Sequence, residues 1–285
     1  MEILVSVLAD TVLITLVLAF AAFGLAIIYG LTGVINMGHG AMLTLGAYFT
    51  WWLLDQGVPF VPTVLLSALA VGLVGLAFEH LLIRHFYGRP FDTLLLTWAF
   101  FLVTTEVIKI VFGTDFRNVA DPIGGDPVNL GIYQVPTYKT VVALLALAVV
   151  AGTALVFFKT TLGVRVRAMT QNREMAGLLG LNVAAMYKLV FGFGAAMAGL
   201  AGGVIAPMFA VQPYMGDMFL VRSFFVVTIG GIGQLLAGTL FGSFAIGGLE
   251  TVLALFSDQV IAQIAVFFIA VIVLRFRPQG VFSGR

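Results

Sequence analysis

Asn36 and His39 flank Gly38, with Gly40 following, inside a stretch that is otherwise largely apolar. An amide and an imidazole so placed can contact a polar solute or hydrogen-bond neighbouring helices. The glycines permit a helix break or a close backbone approach. Asn36, Gly40 and Thr44 fall at i, i+4 and i+8, a line of small or polar groups that suits a pore or a tight helix contact. Glu250 has no local partner and is expected either to pair with a distant cation or to face a watery cavity. Glu106 and Lys109 are three apart and are expected to pair on one helix, with Lys109 near enough to an interface to snorkel. No paired carboxylates, Ser-His-Asp arrangement or metal cluster is legible, and His80 and His85 fall at the end of another apolar run. An enzyme is therefore disfavoured.

The elements that must position these groups follow from composition. The chain has 285 residues, 61% hydrophobic and 9% charged, with a mean hydropathy of +1.12. A soluble domain carries about 25% charged residues, so a water-soluble fold is excluded. At about 20 apolar residues per crossing, eight or nine spans absorb the hydrophobic content and leave little for any other domain. The apolar runs are continuous rather than alternating, which argues against a β-barrel. A net charge of +1 offers no basic field for nucleic acid. With no cysteine, disulfides and thiolate chemistry are excluded without a compartment being identified. The opening MEILVSVLAD carries Glu2 and Asp10 where a signal peptide has a basic region, so it is expected to be a retained first span.

The fold expected is an all-α polytopic membrane protein, a single transmembrane unit over 1–285. It has about eight or nine transmembrane or re-entrant helices, some broken at Gly-rich motifs. Candidate spans are 10–30, 34–54, 61–81, 92–112, 140–158, 188–206, 219–233, 236–256 and 260–274. The turn near Thr32-Gly33 and the segment ending Gly230-Gly231-Ile232-Gly233 mark the two candidates for broken or re-entrant helices. Ten of the 14 Lys and Arg residues fall in 82–91, 159–188 and the tail from 275. Basic residues are retained on the cytoplasmic side, so the N-terminus is expected outside and the C-terminus inside. On this orientation 113–139 is an external loop that either caps a pore, meets an external partner or is simply solvated. Small residues four apart, Ala195/Gly199/Gly203, Gly238/Gly242 and Ser243/Gly247, are expected to pack helices closely.

The loop 159–188 carries Lys159, Arg165, Arg167, Arg173 and Lys188. Gly163 and Asn172 are expected to divide it into a basic approach and a short helix from Arg173. Asn172 would be the N-cap and Glu174 would lie in the first turn. Met175, Leu178 and Leu179 give this helix one apolar face, which must be buried on lipid or in a groove of a partner.

Four segments in series carry a resemblance: Gly33-Val34-Ile35-Asn36-Met37-Gly38-His39-Gly40, Ala176-Gly177-Leu178-Leu179-Gly180-Leu181-Asn182, Gly230-Gly231-Ile232-Gly233-Gln234 with Ala237-Gly238-Thr239, and Arg277-Pro278-Gln279-Gly280-Val281-Phe282. Together they resemble permease subunits of ABC importers for branched-chain amino acids, urea and short amides, over nearly the whole chain. The resemblance implies that the Arg173–Leu181 segment is a coupling helix docking on an ATPase subunit, with Arg167, Asn172, Arg173, Glu174, Ala176, Leu178, Leu179 and Gly180 at that contact. It implies two ATP-binding subunits that hold ATP and Mg, a second homologous permease forming a heterodimer, and an external binding protein. No G-x-x-x-x-G-K-[ST] occurs in this chain, so ATP hydrolysis falls to other chains. Asn36, His39, Thr44, Trp98, Gln234 and Glu250 are the candidates for the substrate pathway. Met169–Arg173 and Asp92–Trp98 look closer to the urea and short-amide branch, and sparse charge in the spans suits a small neutral solute. The alternative is an ion-coupled secondary transporter or channel, which also needs intramembrane polar groups and broken helices but gives no reason for the loop 159–188.

Overall fold

The computed structural model describes residues 2–129, 134–231, 233–277 and 279–282, with side chains from Ser6 onward. Ile232, Pro278 and Arg285, named above, lie outside the described residues. Helix is the backbone that long apolar runs must take in lipid, because it pairs every N–H and C=O within the segment. The chain accordingly runs α1 (Glu2–Thr32), α2 (His39–Asp55), α3 (Phe60–Leu81), α4 (Pro90–Phe112), the two-residue strands β1 (Val128–Asn129) and β2 (Gln134–Val135), then α5 (Thr137–Lys159), α6 (Thr161–Gln171) and α7 (Arg173–Leu178). It continues with α8 (Val183–Ile205), α9 (Met215–Gly230), α10 (Ala237–Ser243), α11 (Leu249–Ala254) and α12 (Gln259–Phe276). Seven of these helical stretches are long and apolar enough to cross a membrane, α10 and α11 counting as one through a π-turn at Phe244–Gly248. The strands pair antiparallel.

Helix α8 is the hub, and small residues let its neighbours reach it. Gly46 of α2 lies backbone to backbone with Gly199, and a Cβ on Gly199 would stand 2.6 Å from Val71 of α3. A Cβ on Gly203 would meet Thr50 Oγ1 at 2.5 Å. The Tyr138 hydroxyl donates to the Val204 carbonyl at 2.6 Å and ties α5 to the same hub. Burial grades outward from this centre: 83% of the α1 span is enclosed but only 17% of the α12 span. Helices α4, α5 and α12 therefore form the periphery.

The connections gather at two ends. At the basic end Tyr87 stacks on Tyr187 with centroids 4.5 Å apart, and the tail docks through the Val281 N–H to the Ile229 carbonyl at 2.8 Å. At the hairpin end Lys139 meets Asp10 at 3.5 Å, and Arg117 and Val211 exchange backbone hydrogen bonds of 2.9 and 2.8 Å.

Two helices begin inside the bundle. After Gly33, whose φ of +72° reverses the chain, residues 33–36 are not helical and α2 starts only at His39. Asn36 therefore does not share a helical face with Gly40 and Thr44, because the helix that the i+4 spacing assumed has not begun. The Thr97 hydroxyl satisfies the broken backbone, lying 3.1 Å from the Ile35 carbonyl and accepting from the Met37 N–H at 3.0 Å. In the second break, 209–214 leads into α9, earlier than the expected start at 219. The two starts meet: a Cβ on Gly40 would lie 2.9 Å from the Gly216 carbonyl, and the Gly216 N–H donates to Thr44 Oγ1 at 3.0 Å.

Candidate functional site

The polar groups at depth fall into two sets, one around the α2 start and one along α9. Asn36 is 1% exposed and His39 is fully buried. His39 Nε2 is 2.7 Å from the Ala21 carbonyl of α1, to which it donates. Asn36 Nδ2 faces the Met42 sulfur at 3.8 Å. Thr44 donates to the Gly40 carbonyl at 3.1 Å while accepting from Gly216. The structure brings these three together around the α2 start, where Asn36 Oδ1 and His39 Nδ1 are enclosed without a hydrogen-bond partner among the described residues.

The second set lies where α9 is flanked by α4 and α12. Tyr214, Met218 and Val221 recur at helical spacing and are exposed. At the Tyr214 end, Lys109 pairs with Glu106 at 2.6 Å and rests 4.6 Å over the Tyr214 ring. About 12 Å along α9, Arg222 Nη2 meets Glu250 Oε1 at 2.8 Å, and Gln259 Nε2 donates to the same oxygen at 2.6 Å. Phe225 stacks on Phe267 of α12 at 5.3 Å. Asp217 Oδ1 is enclosed without a hydrogen-bond partner in the first turn of α9, where the helix dipole favours a carboxylate. Of the two expectations for Glu250, the distant cation is the one found. The π-turn ends two residues before it, and such turns recur at functional positions. Trp98 is also exposed, on α4, stacked on Phe101 at 5.3 Å. Gln234 stands apart from both sets, exposed at the basic end.

The loop 159–188 is built differently from its expected outline. Gly163 does not break it. The chain breaks at Thr160, whose side chain caps α6 by accepting from the Gly163 N–H at 3.3 Å, and Gly163 is small because the Phe157 carbonyl occupies the place of its Cβ. Asn172 caps α7, accepting from the Met175 N–H at 2.9 Å, with Glu174 in the first turn. The helix ends at Leu178 rather than Leu181. Gly180, at φ +83°, closes a Schellman motif in which Leu181 N–H reaches the Ala176 carbonyl at 3.1 Å and Gly180 N–H reaches Gly177 at 3.0 Å. Ala176 is buried beside Met169 and Tyr187, while Leu178 and Leu179 are 82% and 76% exposed.

A chain of contacts invisible to spacing runs inward from α7. The Arg173 guanidinium lies 5.2 Å over the Tyr187 ring, Tyr187 stacks on Tyr87, and Tyr87 donates to buried Glu79 Oε1 at 3.1 Å. Burial foremost, and then the Glu79 carboxylate, push the Tyr87 phenol up from its ordinary value, so it remains the donor. Arg167 instead turns towards α5, one N–H donating to the Phe157 carbonyl.

A bundle of long apolar helices, two of them interrupted at depth, with a capped apolar helix projecting from one end, defines a multi-pass membrane permease subunit rather than an enzyme. The family model for the permease component of branched-chain amino acid transport systems matches residues 7–275. The chain belongs to that ABC permease family. It is 26% identical over 281 residues to the branched-chain amino acid permease protein BraD of Pseudomonas aeruginosa, covering 92% of this chain and 90% of the relative. It is 24% identical over 281 residues to LivH of Escherichia coli, with the same coverages. A shorter match, 25% over 198 residues, covers 64% of this chain and 61% of the guanosine permease protein NupQ of Bacillus subtilis. No solved structure matches the chain.

Proposed function

We propose that this chain is one of two permease subunits, paired as a heterodimer, in an ATP-driven importer of the bacterial cytoplasmic membrane, moving a branched-chain amino acid inward. Two ATPase subunits supply ATP and Mg chemistry, and an external binding protein delivers the solute. The N-terminus is outside and the C-terminus cytoplasmic, a reading supported by Arg84, Arg89, Lys159, Arg165, Arg167, Arg173 and Lys188 falling in the connections of one end. On this reading 159–188 is the coupling loop and 113–139 the external loop.

The observation that carries the reading is α7, capped at both ends and leaving Leu178 and Leu179 largely exposed among the described residues. An exposed apolar pair on a rigid helix fits a groove on a cytoplasmic subunit. Arg173, Tyr187, Tyr87 and Glu79 then offer a route by which that subunit's movement reaches α3 and α4. Leu178→Glu is expected to leave membrane assembly intact and to reduce uptake per ATP hydrolysed at least tenfold, about 1.4 kcal/mol of lost coupling. Unchanged coupling would assign the helix to lipid. Uptake by the chain alone in liposomes would favour an ion-coupled transporter or channel.

The open face of α9 supports an amino acid as the solute. The two ion pairs beside it, exposed Glu106–Lys109 on α4 and largely enclosed Arg222–Glu250, provide both signs of charge for an ammonium and a carboxylate. Urea or a short amide is the second reading, favoured by the sequences Met169–Arg173 and Asp92–Trp98. Titration of the cognate binding protein separates them: tight leucine binding without amide binding supports the first, and the reverse supports the second.

A further inference from the structure

One groove takes no part in the transport reading. It lies between α1, α5, α6 and α8, encloses about 450 Å³, and is walled by Ile27, Val149, Gly152, Val156, Phe193 and Met197 among others. The Thr153 hydroxyl on its wall is already spent on the Val149 carbonyl at 2.9 Å. From Val149 to Phe157 the groove follows α5 for about 12 Å, close to the ~15 Å depth of one leaflet's hydrocarbon. At its α6 end it abuts a second cavity, of about 670 Å³, bordered by Arg167, Thr170, Gln171 and Gln234. Leu31, Phe157 and Leu235 border both, so the two are adjacent.

We propose that this composite groove binds an anionic glycerophospholipid from the leaflet at the basic end. One acyl chain lies between α5 and α8, and the phosphate sits at Arg167 with Thr170 and Gln234. The match is of shape and charge together. An apolar slot of leaflet depth on the peripheral helix α5 opens to the bilayer, where acyl chains are the solvent. The cation stands at the depth where a headgroup would lie. A guanidinium carries five donors, and the Phe157 carbonyl takes one of Arg167's. Lys159, exposed at the end of α5, adds a second positive charge. A phosphate held jointly by Arg167 and Gln234 would tie α6 to the α9–α10 turn.

The test uses the whole importer complex, purified in mild detergent, with phosphatidylglycerol and phosphatidylcholine added as the two lipids and retention read by native mass spectrometry. The wild-type complex is expected to retain phosphatidylglycerol over phosphatidylcholine by roughly fivefold, and Arg167→Ala to bring the two to parity. Gly152→Phe should lower retention of both, because a Cβ at Gly152 meets open space and the ring would fill the slot without displacing backbone. Equal retention of the two lipids by the wild type would overturn the proposal, as would unchanged retention in Gly152→Phe. A photoreactive residue at Val156 is expected to crosslink to lipid; crosslinking to the second permease subunit would assign the groove to a protein contact instead.

Discussion

His39 and the Arg222–Glu250 pair are both polar groups at membrane depth, and the bundle treats them oppositely. His39 is fully enclosed and bonded to a carbonyl of its own chain, beside the paired starts of α2 and α9. The guanidinium and carboxylate hold each other across two helices, side chains 17% and 4% exposed, beside the exposed row Tyr214, Met218 and Val221. The first arrangement ties the start of α2 to α1; the second pairs opposite charges between α9 and α11. Polarity at depth thus serves two ends here, tying helices through a neutral ring and pairing opposite charges.

The sharpest way to break this contrast is at the enclosed centre. Gly46→Leu would drive a side chain into the Gly199 backbone, and because backbone cannot yield as a side chain can, no folded protein is expected by size-exclusion chromatography. Next is Glu250→Ala, which strands Arg222 at a cost of about 3–5 kcal/mol, visible as a lowered melting temperature. The double variant Arg222→Met with Glu250→Met should recover much of that stability while uptake stays impaired. Normal uptake in both would remove the open face as a pathway. His39→Leu is expected to cost about 1–3 kcal/mol with the KM for uptake unchanged in the folded fraction; a raised KM would move His39 into the pathway. Asn172→Ala removes one cap, about 1 kcal/mol, and should raise hydrogen exchange in α7 without altering the spans. Glu106→Gln breaks an exposed pair worth less than ~1 kcal/mol, so melting should not move while KM rises.

Much of the fold was legible because the sequence leaves few alternatives. A run such as 61–81 can only be helix in lipid, and Asn172 followed by Glu174 reads as a helix start from local chemistry alone. Legibility failed where the answer depended on distant chain. The Asn36 spacing looked helical, yet the backbone there bonds to Thr97, which no periodicity near 36 announces. Gly163 looked like a breaker because a glycine without context suggests one; its smallness instead accommodates the Phe157 carbonyl. Glu250 could be flagged as needing a partner, but Arg222 and Gln259 come from other helices. Tyr87 and Tyr187, 100 positions apart, carried no signal at all until α3 and α8 packed together.

The sequence by itself determined the class of structure, the connections in which basic residues cluster and the place of the projecting helix. Each of these follows from short-range chemistry: the cost of unpaired backbone in lipid, the cost of charge in hydrocarbon and the satisfaction of a helix end by a nearby side chain. Tertiary structure decided which polar residues are enclosed and which remain open, where α2 and α9 begin, and which charges pair. Those depend on which surfaces meet. In this bundle that is set by glycine and alanine contacts around α8, whose partners lie far away along the chain.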